Sequence, residues 1–287
     1  MRQPIANKSH YANGITLLDK QFDDLFHHEK GPGALPASKL ENNTDLKGII
    51  VPHAPLPLCG PCASWAYKAL AEMPEKPDVY FLIGQAQHST GAGATMETHQ
   101  TPYGEARVDQ TLLRAIVEKG HLALNDKLHQ EESVIEVQLP FLQFINKSRM
   151  EGIKIIPLLL NTDSEINELA VDIKETLLEQ NKKAAFIFIT NFTSYGRDFK
   201  YVPFTDNIQE QIVDLDKKLF GALTTNDKDT FFEIVKENVI PISGYAALQM
   251  YFKLFGDRPI ELEQYYLSGD LNNTYTASVS YAALVIR

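Results

Sequence analysis

Four segments of the chain read as apolar strands that each stop at side chains able to do chemistry: Val51-Pro52-His53-Ala54, Ile83-Gly84-Gln85-Ala86-Gln87-His88, Ile189-Thr190-Asn191-Phe192-Thr193-Ser194 and, before a helix, Pro241-Ile242-Ser243-Gly244. Imidazoles move protons or ligate metals, whereas amides and hydroxyls exchange hydrogen bonds without carrying charge. A further feature is Cys59-Gly60-Pro61-Cys62, which holds both cysteines of the chain. Such a pair at a helix N-terminus gains thiolate character from the positive end of the helix dipole, the basis of thioredoxin-like reactivity. Leu58 stands where a thioredoxin-like motif has an aromatic residue, so helix packing is the favoured explanation of the pair. Glu131, Glu132 and Glu136 form a carboxylate group whose use as acid and base depends on separation and burial. Glu132 reads as a cap for a helix starting near Ser133, and Glu136 as that helix's solvated side. His27, His28 and His129 lie in polar neighbourhoods and read as solvated. No Gly-x-Ser-x-Gly elbow, phosphate loop or dinucleotide fingerprint is present, and Gly91-Ala92-Gly93-Ala94 falls short of the last.

These side chains must be positioned by the elements around them. Apolar residues at 15, 17, 18, 22, 25 and 26 share a helical face and predict an amphipathic first helix over Ile15 to Lys30. The Gly- and Pro-rich run from Gly31 to Asn43 reads as a surface loop. Strands and helices then alternate: strand 48–51, helix 60–71, strand 79–84, helix 110–119, strand 153–160, helix 164–180 and strand 184–190. Helices follow between Asp206 and Phe255, and a final strand spans Thr276 to Ile286. Ile155-Ile156-Pro157-Leu158-Leu159-Leu160 and Ala185-Phe186-Ile187-Phe188-Ile189 are apolar on both faces, as interior strands of a parallel sheet are. Pro157 is a local objection to a central position. The expectation is one α/β domain over residues 1–287, with a central, largely parallel sheet flanked by helices. In such a sheet the carboxyl ends of neighbouring strands form one crevice.

The chain of 287 residues is 44% apolar, and 37 acidic against 27 basic side chains give a net charge of −10. No basic cluster is available to neutralise a phosphate backbone, which argues against a nucleic-acid partner. The first residues lack the apolar core of a signal peptide and no apolar run reaches the length of a membrane span. A cytoplasmic protein without a membrane partner is expected.

Six segments, in order, resemble the MEMO family, which is related in fold to the class III extradiol dioxygenases. They are Arg2-Gln3-Pro4-Ile5-Ala6 with Tyr11; Val51-Pro52-His53-Ala54 with Gly60-Pro61; Thr101-Pro102-Tyr103-Gly104 with Val108-Asp109; Glu132 to Leu142; Phe192 to Tyr201; and Ser278 to Ala283. The resemblance covers nearly the whole chain. It implies an extradiol dioxygenase-like fold and, since prokaryotic members often belong to an AmmeMemoRadiSam set, an AMMECR or radical-SAM partner.

The departures bear on chemistry. In this family a metal can be held by the His of a Val-Pro-His motif, the first His of Gly-Pro-Ser/Asn-His and the Cys of Thr-x-Cys-Gly, with an Asp and a His of Ser-Asp-Phe-x-His nearby. Position by position, only His53 survives. Gln87 stands at the second ligand position with His88 one residue later, Ser243 replaces the Cys, Asn191 and Ser194 replace the Asp and His, and Glu132-Ser133-Val134 replaces a Glu-His-Ser motif. Amides and hydroxyls are weak donors for divalent transition metals. No metal or cofactor is therefore expected. His53, Gln87, His88, Asn191, Ser194 and Ser243 are expected to form a polar crevice for a small molecule or short peptide, and His53 is the best catalytic candidate. Adjacent strand residues face opposite ways, so His88 points away from His53 unless the strand has already ended. Each residue also admits a structural role: His53 bonding its following loop, and Asn191, Ser194 and Ser243 as caps or turn residues. Two alternatives stand beside this reading. His53, Cys59, Cys62 and His88 would suit zinc, with iron or copper also conceivable, if they converged as a rebuilt site serving a dioxygenase- or hydrolase-like enzyme. Tyr103, Tyr195 and Tyr245 would close the crevice if they filled it.

Overall fold

The computed structural model describes residues 1–37 and 46–287; of the loop expected from Gly31 to Asn43, the part from residue 38 onward lies outside the described residues. In chain order the elements are α1 (Ile15–His27), β1 (Gly48–Val51), α2 (Leu56–Ala71), β2 (Val79–Gln85), β3 (Gly93–Ala94), β4 (His99–Thr101) and β5 (Gly104–Val108). Next come α3 (Gln110–Glu118), α4 (Asp126–Glu131), α5 (Gln138–Phe144), β6 (Lys154–Leu160), α6 (Ile166–Glu179), β7 (Ala184–Ile189) and β8 (Ser194–Gly196). The remainder holds α7 (Ile208–Thr224), α8 (Lys228–Glu237), α9 (Tyr245–Phe255), β9 (Ile260–Leu267), α10 (Gly269–Asn272) and β10 (Ala277–Ile286). Among the described residues no helix is long and apolar enough to cross a membrane.

The strands join in one sheet of order β4-β5-β6-β2-β7-β1-β10-β8, with β3 also on β6 and β9 also on β10. The run β5-β6-β2-β7-β1 is parallel throughout, and β10 closes it antiparallel against β1. Ile49, Leu82, Ile156, Ile187 and Phe188 are wholly buried in these strands. Each such side chain contributes about 1.5–3 kcal/mol through its removal from water. On the flanks α2 packs on β1, β9 and β10, and α9 packs on β2 and β7 with Phe255 set 5.0 Å from Phe186.

Pro157 sits inside β6, opposite Leu82 of β2. The carbonyl of Ile155 accepts from the Asp109 amide, on the β5 side of the strand. Residue 157 presents its edge to that same side, just where β5 has ended and β3 begins to pair at Leu158, so its missing N–H breaks no ladder. The helix read as starting at Gly60 begins instead at Leu56, four residues earlier, with Pro57 in the first turn where its absent N–H is harmless.

The first eleven residues are pinned to the body by buried charge. Glu136, read from the sequence as solvated, is buried. It accepts from the Arg2 guanidinium at 2.7 Å, the Tyr11 hydroxyl at 2.6 Å and the backbone amides of Ile5 and Ala6 at 2.9 Å each. A carboxylate removed from water needs this many donors, and its distant partners could not be seen in local sequence. His129 is also buried rather than solvated: its backbone carbonyl accepts from Arg2, and its ring packs edge-on to His99 at 6.4 Å. His27 is exposed and His28 partly so, as read. His99 Nδ1 faces the Glu97 carbonyl at 3.1 Å and His129 Nε2 the Gly93 carbonyl at 3.0 Å; a carbonyl only accepts, so these nitrogens carry the protons. The other nitrogen of each ring is buried without a partner among the described residues.

Burial, then the neighbouring Arg2 cation and the His129 ring, push His99 down to about 3. Burial, with Arg2 adding to it against the opposing Gly93 bond, pushes His129 down to about 4. Above the ordinary value of about 6.5 both states are neutral; below it the unfolded chain binds protons first, until the folded pKa is passed. Stability should therefore fall as pH drops from about 6.5 towards 4, by up to about 1.4 kcal/mol per pH unit for each imidazole. Urea midpoints measured between pH 7.5 and 4.5 check this; His129→Gln should flatten the slope, and a wild-type midpoint independent of pH would contradict it.

Candidate functional site

The strand register sets the site. Val51 pairs with Ile189, and β2 lies on the other side of β7, so the segments leaving β1, β7 and β2 emerge side by side. His53 and Asn191 are clamped reciprocally: the His53 amide donates to Asn191 Oδ1 at 3.0 Å and Asn191 Nδ2 donates to the His53 carbonyl at 2.8 Å. The Asn191 amide donates to Ser243 Oγ at 2.7 Å, which ties in the segment before α9. That segment passes so close to β7 that a Cβ on Gly244 would lie 2.3 Å from the Ile189 carbonyl oxygen. Gln87 Nε2 bridges the carbonyls of Gln85 at 2.7 Å and Ser243 at 2.8 Å, and Gln85 Oε1 caps the Ala246 amide in the first turn of α9.

The turn after β2 is organised by Glu132, which is buried at the end of α4. Its carboxylate accepts from the amides of Gln87 at 3.0 Å, His88 at 2.7 Å and Ser89 at 2.8 Å. It caps this turn rather than the helix that follows it. Because β2 ends at Gln85, the alternation of a strand no longer governs residue 88, and the turn brings His88 round to the His53 side. Ser194 stands in β8, beside Val279 of β10, with its hydroxyl only loosely placed at 3.5 Å from the Phe192 carbonyl.

His53, Gln87, His88, Asn191, Ser194 and Ser243 all line a single open cleft of about 500 Å³. His10, for which the sequence reading assigned no role, lines it too. Its only signal lay in its position between Arg2-Gln3-Pro4-Ile5-Ala6 and Tyr11; the Glu136 bonds and the bond from the Leu56 amide to the His10 carbonyl bring it to the strand ends. Ser133, Val134, Phe199, Pro241 and Ile242 contribute to the walls, and among the described residues no Asp, Glu, Lys, Arg or Cys does. Tyr103, Tyr195 and Tyr245 are likewise not part of the lining: their side chains engage Asp19, the Phe204 carbonyl and the Phe232 ring. Burial, with the charge of His10 next, holds His53 down to about 4, Glu132 opposing. Burial likewise lowers His10, against the pull of Glu136. Both rings are therefore neutral at pH 7, and His53 Nε2 is buried with no partner among the described residues.

Among the described residues no group of three or more His, Cys, Asp or Glu is placed to hold a metal ion. Asn191 spends both side-chain ends on the His53 backbone, Ser243 Oγ accepts from an amide, and the Gln87 amide nitrogen donates to two carbonyls. These neutral, committed donors do not fit the divalent metal that the family resemblance implies. Cys59 and Cys62 do not join the cleft. They lie within α2 rather than at its first residue, buried, with their thiols directed at the carbonyls of Ala54 at 3.3 Å and Gln264 at 3.8 Å. Burial pushes the Cys59 thiol up to about 12 and Cys62 upward as well, opposite to the thiolate character expected of a helix N-terminus.

The family model described as Memo-like protein matches residues 2–285. A MEMO1 family protein of Methanopyrus kandleri is 31% identical over 100% of this chain and 99% of its own length. One from Pyrococcus furiosus is 30% identical over 96% of this chain and 94% of its own. Among solved structures, an uncharacterized protein from Escherichia coli K12 aligns with TM-score 0.51 and 14% identity, over 84% of this chain and 100% of that one, a likeness of fold.

Glu132→Ala should cost about 2–4 kcal/mol, since three amides lose a charged acceptor, and should release residues 87–89; urea unfolding and amide exchange of those residues check it. Both thiols should stay unreactive towards a disulfide reagent in the native protein at pH 8 and react together on unfolding. Rapid native labelling of either would contradict their burial.

Proposed function

The chain belongs to the Memo-like family, and from that premise we propose that it has given up the family's metal centre and uses the crevice at the strand ends to bind a small polar molecule. The supporting observation is the make-up of the cleft: three imidazoles and a set of amides and hydroxyls around about 500 Å³, with no thiolate or carboxylate in its lining among the described residues. That volume lies within the roughly 300–1,000 Å³ of small-molecule sites. Strong metal donors have been exchanged for side chains that tie the strand ends together, and the histidines supply the groups free to contact a ligand. In this role the protein is a binding or scaffold protein. Phe199, 41% exposed at the rim, gives the cleft an apolar edge that would also take a side chain of a short peptide.

Protein purified without chelator should carry iron, copper and zinc far below one equivalent per chain by inductively coupled plasma mass spectrometry, and its ligand affinity should be unchanged by EDTA. Close to one equivalent of any of the three, or a substrate turnover lost in His53→Ala, would favour a metal-dependent enzyme instead.

A further inference from the structure

The joint between the pinned N-terminal segment and α1 carries a chemistry of its own. On one side Tyr11 is buried on Glu136 and the Ala12 amide donates to Gln21 Oε1 at 2.9 Å; on the other, Leu18 of α1 is wholly buried. Between these anchors stands Asn13-Gly14, the only Asn-Gly pair in the sequence. Asn13 is exposed in a bend, and among the described residues its side chain makes no hydrogen bond. The Gly14 N–H likewise donates to nothing among the described residues, while its carbonyl accepts from the Leu18 amide at 2.9 Å. At φ +132° Gly14 has open space where a Cβ would stand, with nothing within 4 Å. Its nitrogen is therefore both unbonded and uncrowded.

Asparagine is a chemically labile residue, and a free glycine amide next to it is the nucleophile its side chain is most exposed to. The Gly14 nitrogen adds to Asn13 Cγ: an N–Cγ bond forms, the Cγ–Nδ2 bond breaks, and ammonia leaves with the proton that the Gly14 nitrogen gives up. Water then opens the cyclic imide at either carbonyl, giving aspartate or isoaspartate with no change of oxidation state. A side chain on the following residue crowds the attacking nitrogen, and a hydrogen-bonded side-chain amide is held away from it. Both brakes act elsewhere in the chain. Asn125, Asn146, Asn191 and Asn226 precede Asp, Lys, Phe and Asp, and their side-chain amides donate to the carbonyls of Ala92, Leu142, His53 and Arg258. We propose that Asn13 is a site of spontaneous deamidation through Gly14. The reaction adds a negative charge at the joint and, in the isoaspartyl product, one backbone carbon between the anchors at Tyr11 and Leu18.

Full-length folded protein held at pH 8.5 and 37 °C for several weeks, sampled and mapped by peptide mass spectrometry, tests this. The peptide containing Asn13 should gain about one dalton and split into two chromatographic isomers, at least about tenfold faster than any other asparagine peptide. In Asn13→Gln, whose side chain would have to close a larger and slower-forming ring, that gain should vanish; residue 13 is exposed and unbonded, so the exchange leaves the fold intact. A parallel sample unfolded in urea gives the rate of the unshielded pair. Asn13 persisting in the folded protein while it deamidates in the unfolded one would show that the fold protects it and would overturn the proposal. An earlier mass gain at another asparagine of the folded chain would overturn it too.

Discussion

Two carboxylates four residues apart, Glu132 and Glu136, hold the crevice in shape. Both are buried, and a buried carboxylate is tolerable only when hydrogen-bond donors replace its water. Glu132 recruits three consecutive amides from the turn after β2, and Glu136 recruits the N-terminal segment through Arg2, Tyr11 and two amides. The first fixes His88 and the second fixes His10. Two loops with no regular structure of their own become as well defined as the strands beside them, because each would strand a charge if it left.

The sheet supplies the third histidine differently. His53 follows a wholly buried strand, and its backbone is clamped at both polar groups by the side chain of Asn191. Ser243 and Gln87 extend this web to the start of α9. The side chains of Gln87, Asn191 and Ser243 thus serve as structural ties across the strand ends. Such ties keep an opening lined by neutral groups from collapsing, because they hold the backbone of His53, Gln85, Asn191 and Ser243. The imidazoles are left with polar atoms unspent, and these give the cleft its chemical character.

The cysteine pair shows how far a motif depends on its setting. Three and six residues past the first residue of α2, and facing a core instead of solvent, Cys59 and Cys62 lose the field and the access that a reactive pair needs. Their thiols are held protonated by the same apolar packing that anchors α2 on the sheet.

The alternation of apolar runs and amphipathic segments determined the parallel strands and their main helices, because burial on both faces and a 3.6-residue stripe leave a direct trace in residue order. It also determined that His53, Gln87, His88 and Asn191 lie just beyond strand ends, whereas Ser194 stands within β8 and the segment read as a strand at 241–244, with Ser243, is the loop between α8 and α9. The strands β3, β4 and β8, two or three residues long, are too short for a periodic trace, and β5 and the antiparallel β9 mix Gly, Glu, Gln and Arg with apolar residues. Burial of Glu132, Glu136 and His129, the turn that swings His88 inward and the arrival of His10 were decided only by tertiary structure. Each rests on hydrogen bonds between residues some 35 to 135 positions apart, and local sequence carries no record of such a partner.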